Sequence, residues 1–174
     1  MLRRTTSVAL LVVAALFLVG FDKSFKPFQK KGANFAVMMP GTPKEETSTE
    51  DTVAGKISLY QASVIGSNKA YFVSYSDMPK ETWNGDPKKM LEGARDGAAG
   101  RVQGKIVADR EVSLGTWPGR EFKVVVGDQM ELTQRVYLVK HRLYQVNMGC
   151  LKGACTDAEV QEYLGSFKLL KPVK

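Results

Sequence analysis

Histidine is almost absent from this 174-residue chain, which contains His141 and no other. A single histidine excludes a multi-histidine metal site and the paired-histidine motif of helical zinc proteases. A Ser-His-Asp triad would have to use His141, which lies between Lys140 and Arg142 in a sequence typical of a hairpin turn. A turn there favours a positive φ, which histidine tolerates better than most residues. The sequence therefore predicts no catalytic residue.

Phosphate-binding motifs are also missing, and the paired carboxylates that the chain contains have a simpler explanation than catalysis. The sixteen glycines show neither dinucleotide nor P-loop spacing. The pairs Glu45-Glu46 and Glu50-Asp51 lie in a polar stretch, where solvated charge explains them better than acid–base chemistry. The chain has no basic stripe with interleaved aromatics of the kind that binds nucleic acid. We therefore predict no cofactor, no bound metal and no nucleic-acid partner.

Cysteine is scarce, because Cys150 and Cys155 are the two that the chain contains. In an oxidising compartment, an even number of cysteines at close spacing predicts a disulfide. Two free thiols are the alternative interpretation. A redox site is the least favoured one, because its cysteines are typically separated by two residues rather than four.

Long apolar runs are absent apart from residues 8–21, which carry no charge and follow Arg3 and Arg4. This layout is typical of an export signal. The run is shorter than the roughly twenty residues that span a bilayer, and no clean small-x-small cleavage site follows it. Export with cleavage is the preferred interpretation. Retention as an uncleaved anchor, and a buried helix of a cytosolic protein, stay open as alternatives.

The rest of the chain divides into a tether and one domain. Residues 22–32 are rich in Lys, Ser, Pro, Gln and Gly and predict a mobile linker. With residues 1–21 as signal peptide or anchor, a single domain is expected over residues 33–170. The folded part is therefore expected outside the cytoplasm, periplasmic or secreted, with membrane contact through residues 1–31. The formal net charge of +7 favours an anionic partner, so the expected partner is either an anionic surface or a protein whose identity is unknown.

The first half of the domain predicts strands separated by breaks. Residues 35–39 predict a strand, which residues 40–43 end with two prolines around a glycine. Residues 44–52 are polar and acidic and predict a surface loop. Residues 53–65 predict a strand or bent hairpin, and residues 70–76 predict a further strand.

The second half predicts two helices around a series of strands. Asp86-Pro87 suits the start of a helix over residues 86–100, and residues 105–114 predict a strand. A turn over residues 115–119 carries Trp117, which the pattern predicts to be buried. The closing helix over residues 156–168 begins with a capping box.

A hairpin over residues 120–140 is the most informative strand pair. A three-residue loop at 127–129 places Val126 opposite Met130 and Glu121 opposite Arg135. A two-residue loop would mix apolar with charged side chains, so the three-residue loop is favoured. A second hairpin turns at Lys140-His141. The element order predicts an α+β domain with a central antiparallel sheet of about five to seven strands covered by helices.

Aromatic side chains are the remaining candidates for ligand binding. Tyrosines on sheets can line a groove, but they more often pack under a helix and expose their hydroxyl group. Both interpretations stay open here, with packing preferred. The candidates for a ligand groove are Tyr60, Tyr71, Tyr75, Trp117, Tyr137 and Tyr144.

Three segments carry a resemblance to a known family: Phe35-Ala36-Val37-Met38-Met39-Pro40-Gly41-Thr42-Pro43, Arg142-Leu143-Tyr144-Gln145-Val146 and Ser166-Phe167-Lys168-Leu169. Over about residues 33–170, the chain resembles the PsbP/Mog1-like α/β/α sandwich of small exported bacterial proteins. PsbP proteins are accessory subunits of photosystem II, and Mog1 binds a small GTPase. The resemblance therefore implies a binding or assembly module more than an enzyme, and it transfers no catalytic or metal-binding residue.

The expected function is that of an exported, non-enzymatic binding or accessory module that assists a membrane or envelope complex. An unrecognised extracytoplasmic hydrolase and a purely structural envelope protein are the alternatives. The absence of a nucleophile–base pair in the sequence favours the first of the three.

Overall fold

The computed structural model describes residues 24–52 and 55–171. The predicted signal segment 1–21 lies outside the described residues. In chain order the elements are β1 (Phe25–Gln29), β2 (Phe35–Pro40), β3 (Lys44–Thr52), β4 (Gly55–Ile65), β5 (Lys69–Asp77), a 3₁₀ turn (Lys80–Thr82), α1 (Pro87–Arg101), β6 (Lys105–Leu114), β7 (Trp117–Val126), β8 (Met130–Val139), β9 (Arg142–Leu151), α2 (Asp157–Gly165) and β10 (Lys168–Leu169).

Two antiparallel sheets pack against each other. The large sheet has seven strands in the order β3-β4-β5-β9-β8-β7-β6, and the small sheet has three in the order β1-β2-β10. α2 packs beside the small sheet on β8 and β9. The main core fills the space between these layers, and its largest fully buried side chains include Phe35, Met39, Val73, Val146, Met148 and Leu164.

A second, smaller core lies on the opposite face of the large sheet. There α1 packs on β7 and β8. Because side chains alternate across a strand, β7 presents Phe122 and Val124 to this core and Glu121 to the other face. The buried members are Leu91, Ala99, Phe122, Val124, Val136, Leu138 and Leu143.

The hairpin that joins β7 to β8 has the predicted register. Val126 pairs with Met130, and Glu121 pairs with Arg135. Gly127 in the three-residue loop has a φ of 56°, a conformation that glycine adopts readily. This agreement is expected, because a shift of one residue would move every apolar side chain to the wrong face.

Both helices begin where the sequence predicts. The carboxylate of Asp86 accepts a hydrogen bond from the backbone N–H of Lys88 at 2.9 Å. Thr156 and Glu159 form the predicted capping box, with bonds of 3.2 Å and 2.9 Å in the two directions. These caps satisfy backbone donors that the first helical turn leaves without partners.

The prediction of a loop over residues 44–52 is wrong, because this segment forms β3. It pairs with β4 along its whole length, from Lys44 opposite Ser63 to Thr52 opposite Gly55. β3 is an edge strand of the large sheet. Edge strands commonly carry charged residues that discourage pairing with other chains. The polar composition that predicts a loop therefore belongs to an edge strand.

The linker predicted over residues 22–32 is also corrected, because it contains β1. This strand pairs with β2, with Phe25 opposite Pro40 and Gln29 opposite Ala36. The ring of Phe28 packs on that of Phe35, with centroids 6.2 Å apart. Pro27 is tolerated because β1 is an edge strand. The folded domain therefore includes residues before 33.

The predicted antiparallel α+β class is confirmed, but the layering differs. One central sheet covered by helices was expected. Instead the small sheet together with α2 covers the face of the large sheet that carries the main core. α1 packs on the opposite face, at β7 and β8. The turn predicted over residues 115–119 is shorter, because β7 already begins at Trp117.

Candidate functional site

Charged and aromatic side chains meet where β5 ends and β9 begins. The register places Asp77 opposite Arg142 and Tyr75 opposite Tyr144. Arg142 donates to both carboxylate oxygens of Asp77, from Nε at 2.6 Å and from Nη2 at 2.8 Å. Its guanidinium lies 4.5 Å from the ring centroid of Tyr75 and 6.0 Å from that of Tyr144. The bidentate bond and the cation–π contacts hold this guanidinium in one orientation.

Local contacts fix the ionisation states of Arg142 and Tyr144 at this end of the sheet. The hydrogen bond to Asp77 raises the pKa of Arg142. Burial raises the pKa of Tyr144, and its hydroxyl group donates to the carbonyl oxygen of Ala33 at 2.7 Å. Arg142 is therefore a permanent cation, and Tyr144 is a neutral phenol that ties β9 to the turn before β2.

An aromatic pair, formed by the exposed Trp83 and the half-buried His141, lies beside Arg142. The rings of Trp83 and His141 are stacked, with centroids 3.7 Å apart and planes inclined by 7°. Trp83 is 43% exposed, whereas indole rings are usually covered in folded proteins. We call these two residues the Trp83–His141 pair.

The backbone of Met78 connects the two segments that carry this pair. Its N–H donates to the carbonyl oxygen of His141 at 2.7 Å. Its carbonyl oxygen accepts a hydrogen bond from Trp83 Nε1 at 3.0 Å. The 3₁₀ turn between Met78 and Trp83 is closed by the hydroxyl group of Thr82, which donates to the carbonyl oxygen of Pro79 at 2.7 Å. These contacts fix the orientation of the indole.

The hairpin turn that carries His141 differs in one detail from the prediction. The positive φ, 54°, belongs to Lys140 and not to His141. The backbone of His141 itself therefore does not adopt the left-handed conformation. Lys80, Glu81 and Lys140, which are exposed, belong to the same two segments.

The structure places the predicted groove residues mostly in the core. Tyr71, Tyr137 and Tyr144 are 8%, 4% and 3% exposed. The ring of Phe167 lies against those of Tyr137 and Tyr144, with centroids 5.8 Å and 5.6 Å away. These three tyrosines are packing residues, the alternative that the sequence left open.

Tyr60 is likewise buried, and its hydroxyl group donates to Glu45 at 2.9 Å. Trp117 packs at the border of the main core. Tyr75 is half-buried beneath Arg142, and it is the groove candidate that adjoins the exposed site.

Sequence reasoning missed Trp83 as a functional candidate and treated His141 as a turn residue. The two residues are far apart in the chain, and no spacing rule connects them. The available signal was a tryptophan inside the polar segment Thr82-Trp83-Asn84-Gly85, outside any apolar periodicity. An aromatic residue in such a segment has no predicted core to enter.

Cys150 and Cys155 are joined by a disulfide, as their spacing predicts, with Cα atoms 6.1 Å apart. The bond connects the end of β9 to the residue before the N-cap of α2. The enclosed loop is held to its neighbours by Leu151 N–H, which donates to Asn68 at 3.0 Å, and Lys152 N–H, which donates to Gln129 at 2.7 Å. This cysteine pair is therefore part of the framework at that end of the sheet.

Glu121 occupies a cluster of arginines beneath α2. It accepts hydrogen bonds from Arg135, from Arg110 at 2.7 Å and from Gln161 of α2 at 3.1 Å. Burial raises the pKa of Glu121, but the bonds from Arg135 and Arg110 outweigh burial, and its pKa lies below the ordinary value. The carboxylate stays charged and fastens α2 to β7.

Asp109 plays a similar part beneath α1. Arg120 donates to both of its oxygens, at 2.6 Å and 2.7 Å, and Arg95 of α1 donates as well. The bond from Arg120 lowers the pKa of Asp109. Both carboxylates are thus used to join helices to the sheet.

The described part of the chain lacks a candidate metal cluster and a candidate membrane-spanning helix. Residues 24–52 and 55–171 contain no group of three or more His, Cys, Asp or Glu side chains arranged to hold a metal ion. No helix in these ranges is long and apolar enough to cross a bilayer.

The two packed antiparallel sheets with their flanking helices define a PsbP-like fold. The chain is similar to the solution structure of cyanobacterial PsbP (CyanoP) from Synechocystis sp. PCC 6803, with a TM-score of 0.58 over 90% of this chain and 98% of that chain. The sequences are 12% identical, so the similarity establishes the fold alone. No family model and no curated protein sequence matches the chain. The resemblance read from the sequence is confirmed at the level of the fold.

Proposed function

We propose that this protein is an extracytoplasmic, non-enzymatic accessory module that binds a protein partner through the Trp83–His141 pair. The proposal rests on the indole of Trp83, which is 43% exposed and yet held in place by a hydrogen bond and a stacked ring. A partner can cover this surface without reorganising it.

The composition of the site supports a protein as the partner. Tryptophan, tyrosine and arginine dominate the residues whose removal most weakens protein interfaces. Trp83, Arg142 and the half-buried Tyr75 supply all three types within one end of the sheet. Because Asp77 and Met78 already orient Arg142 and Trp83, binding loses little side-chain entropy.

The same contacts favour recognition over catalysis. In a hydrolase, His141 would have to act as a general base within hydrogen-bond reach of a nucleophile. The imidazole instead stacks flat on the indole of Trp83. This arrangement supports a role in which both rings present their outer surfaces to a partner.

Two observations support an extracytoplasmic location. The uncharged residues 8–21 follow Arg3 and Arg4 in the layout of an export signal. The disulfide between Cys150 and Cys155 is of a kind that persists in oxidising compartments. The PsbP-like fold agrees with an accessory role, because that resemblance implies binding and assembly.

Site-specific photo-crosslinking in the native cells tests the proposal. A photoreactive phenylalanine derivative at Lys80, next to the Trp83–His141 pair, is expected to give one discrete adduct with a protein. The same group at Val107, an exposed residue of β6, is the matched control and should not give this adduct.

The second arm replaces the indole. Trp83→Ala should remove the adduct, because loss of an interface tryptophan weakens binding by at least about 2 kcal/mol, roughly thirty-fold. An adduct that survives Trp83→Ala, or that forms equally from Val107, would contradict the proposed site. The absence of any discrete adduct from Lys80 would favour a purely structural envelope protein.

A further inference from the structure

Exposed apolar side chains are unevenly distributed over the molecule. Seven large hydrophobic residues are exposed in the described part of the chain. Trp83 and Leu170 lie toward the end of the large sheet where β9 begins, and Val107 lies on the edge strand β6. The other four surround the opposite end, which we call the apolar end: Phe25 at 42%, Ile65 at 68%, Met130 at 36% and Leu151 at 47% exposure.

The strand register shows that three of these side chains share one face. Met130 pairs directly with Leu151. Ile65 pairs with Ala70, and Ala70 pairs with Gly149, which is two residues before Leu151 on the same side of β9. Between Ile65 and the other two, this row of the face carries the small residues Ala70 and Gly149. Isolated exposed hydrophobic residues are ordinary, but a group on adjacent strands indicates a surface that meets apolar material.

The backbone holds this surface in place. The N–H of Leu151 donates to the carbonyl oxygen of Asn68, in the turn that follows Ile65, at 3.0 Å. The disulfide between Cys150 and Cys155 closes the loop next to Leu151. The exposed side chains are therefore presented from a rigid edge and not from a loose loop.

The chain enters the domain at this same end. Phe25, the first residue of β1, packs on Tyr71 with ring centroids 5.7 Å apart. Tyr71 pairs with Val64, whose side chain lies on the opposite face of the sheet from that of its neighbour Ile65, so Phe25 adjoins the same end of the sheet from its other face. Residues 22–24 are all that separates Phe25 from the apolar run at residues 8–21. Four residue steps reach at most about 14 Å, so the chain between the last residue of the apolar run and Phe25 spans no more than that distance.

We infer that the apolar end rests on a lipid bilayer in which residues 8–21 are retained. The short connection keeps the bilayer next to Ile65, Met130 and Leu151 at a high effective concentration, so a small apolar surface is sufficient for contact. Apolar side chains at such a boundary enter the headgroup region by several ångströms. A bilayer is favoured over a second copy of the chain, because the chain's own apolar run brings a bilayer to this position.

This placement determines where the Trp83–His141 pair points. β9 runs from Arg142, beside that pair, to Leu151 at the apolar end. Ten residues of strand span roughly 30 Å. The pair would therefore stand at the far side of the domain from the bilayer. The inference about the bilayer does not depend on whether that pair binds a protein.

Quenching of tryptophan fluorescence by brominated lipid tests the inference on the full chain. The chain is reconstituted in phosphatidylcholine vesicles with and without bromine on the acyl chains. Trp83 and Trp117 both lie toward the end where β9 begins, so they supply an internal control that should not be quenched. Leu151→Trp adds an emitter at the apolar end, and its added fluorescence should fall by at least half in brominated vesicles.

Two more tryptophan variants supply a second probe of the apolar end and a control at the opposite end. Ile65→Trp probes the apolar end at its most exposed residue, where folding is least disturbed, and it should also be quenched. Leu170→Trp is the matched control at the opposite end, with 42% exposure, and it should not be. Vesicle-bound chain in which neither Leu151→Trp nor Ile65→Trp is quenched would overturn the inference, as would chain that does not bind vesicles. Equal quenching of Leu170→Trp would overturn it too. Trp83→Ala should leave the quenching of Leu151→Trp unchanged, which separates this test from that of the protein partner.

Discussion

Arg135 Nε donates a hydrogen bond to the carboxylate of Glu121 directly across the strand pair β7–β8, and Glu121 is 8% exposed. Arg110 and Gln161 bond the same carboxylate. Removing this charge would leave the guanidinium of Arg135 bonded to the neutral Gln161 but without the counter-charge of Glu121, in a site that water scarcely enters. Glu121 is therefore a central group in the attachment of α2 to the sheet.

Glu121→Gln is expected to lower the free energy of unfolding by about 3 kcal/mol, because breaking a buried ion pair leaves an uncompensated charge. Urea denaturation at neutral pH measures the change. Glu111→Gln is the control, since the Glu111–Lys88 pair is 71% and 64% exposed and such pairs contribute about 1 kcal/mol or less. Equal effects of the two substitutions would contradict the assigned role.

Stability should decline in acid because of Glu121. Its pKa lies below its ordinary value of 4.5 in the folded protein. As the pH falls below 4.5, the unfolded chain takes up its proton first, so the free energy of unfolding decreases as the pH falls through the lower folded pKa. Above that range the contribution is fully present. Urea titrations between pH 7 and pH 3 should show this slope, and Glu121→Gln should flatten it; an unchanged slope in the variant would contradict the assignment.

Gly119→Ala is expected to destabilise the protein by about 1–3 kcal/mol through overpacking. An added Cβ would lie 2.4 Å from Tyr137 Cδ1 and 2.7 Å from the carbonyl oxygen of Val136. Gly149→Ala is a matched control, because the nearest atom to its Cβ is Leu132 Cδ1 at 4.0 Å. Thermal unfolding followed by circular dichroism should separate the two variants, and similar melting temperatures would refute the packing around Gly119.

Deletion of β1 should weaken the domain. A chain that starts at Ala33 loses the ladder between β1 and β2 and the packing of Phe28 on Phe35. Its free energy of unfolding should be lower by about 2 kcal/mol than that of a chain starting at Ser24, because the partly buried ring of Phe28 and the lost backbone hydrogen bonds each contribute about 1 kcal/mol. Denaturant midpoints that coincide for the two chains would restore the linker interpretation.

Loss of the disulfide should cost about 2 kcal/mol, because closing a loop this short removes little entropy from the unfolded chain. The double variant Cys150→Ser/Cys155→Ser should show this decrease in urea denaturation. Protein from its native compartment should resist alkylation until it is reduced. Two thiols that react without reductant would show that the bond does not form there.

Local signals in the sequence were sufficient for the features that neighbouring residues decide. The capping box of Thr156 and Glu159, and the cap at Asp86, each involve groups within one helical turn. The loop at residues 127–129 follows from the alternation of apolar side chains on two consecutive strands. In all of these cases the interacting groups are close in the chain, so their pattern is visible without a partner element.

Tertiary structure decided the features that depend on distant partners. β3 is a polar edge strand and β1 is an edge strand that contains a proline; each forms because β4 or β2 supplies a row of backbone donors and acceptors. Side-chain composition does not reveal which neighbouring strand will supply these backbone groups. The division into two sheets likewise depends on which strand lies beside which.

The candidate site shows the same division. The sequence by itself determined that His141 is the one histidine and that it sits in a turn, which argued against metal and triad chemistry. Only the fold brought Trp83, from the segment after β5, onto the imidazole, through the hydrogen bonds of Met78. Pairing of rings from separate segments is set by how strands pack and where their loops meet, and no local spacing encodes it.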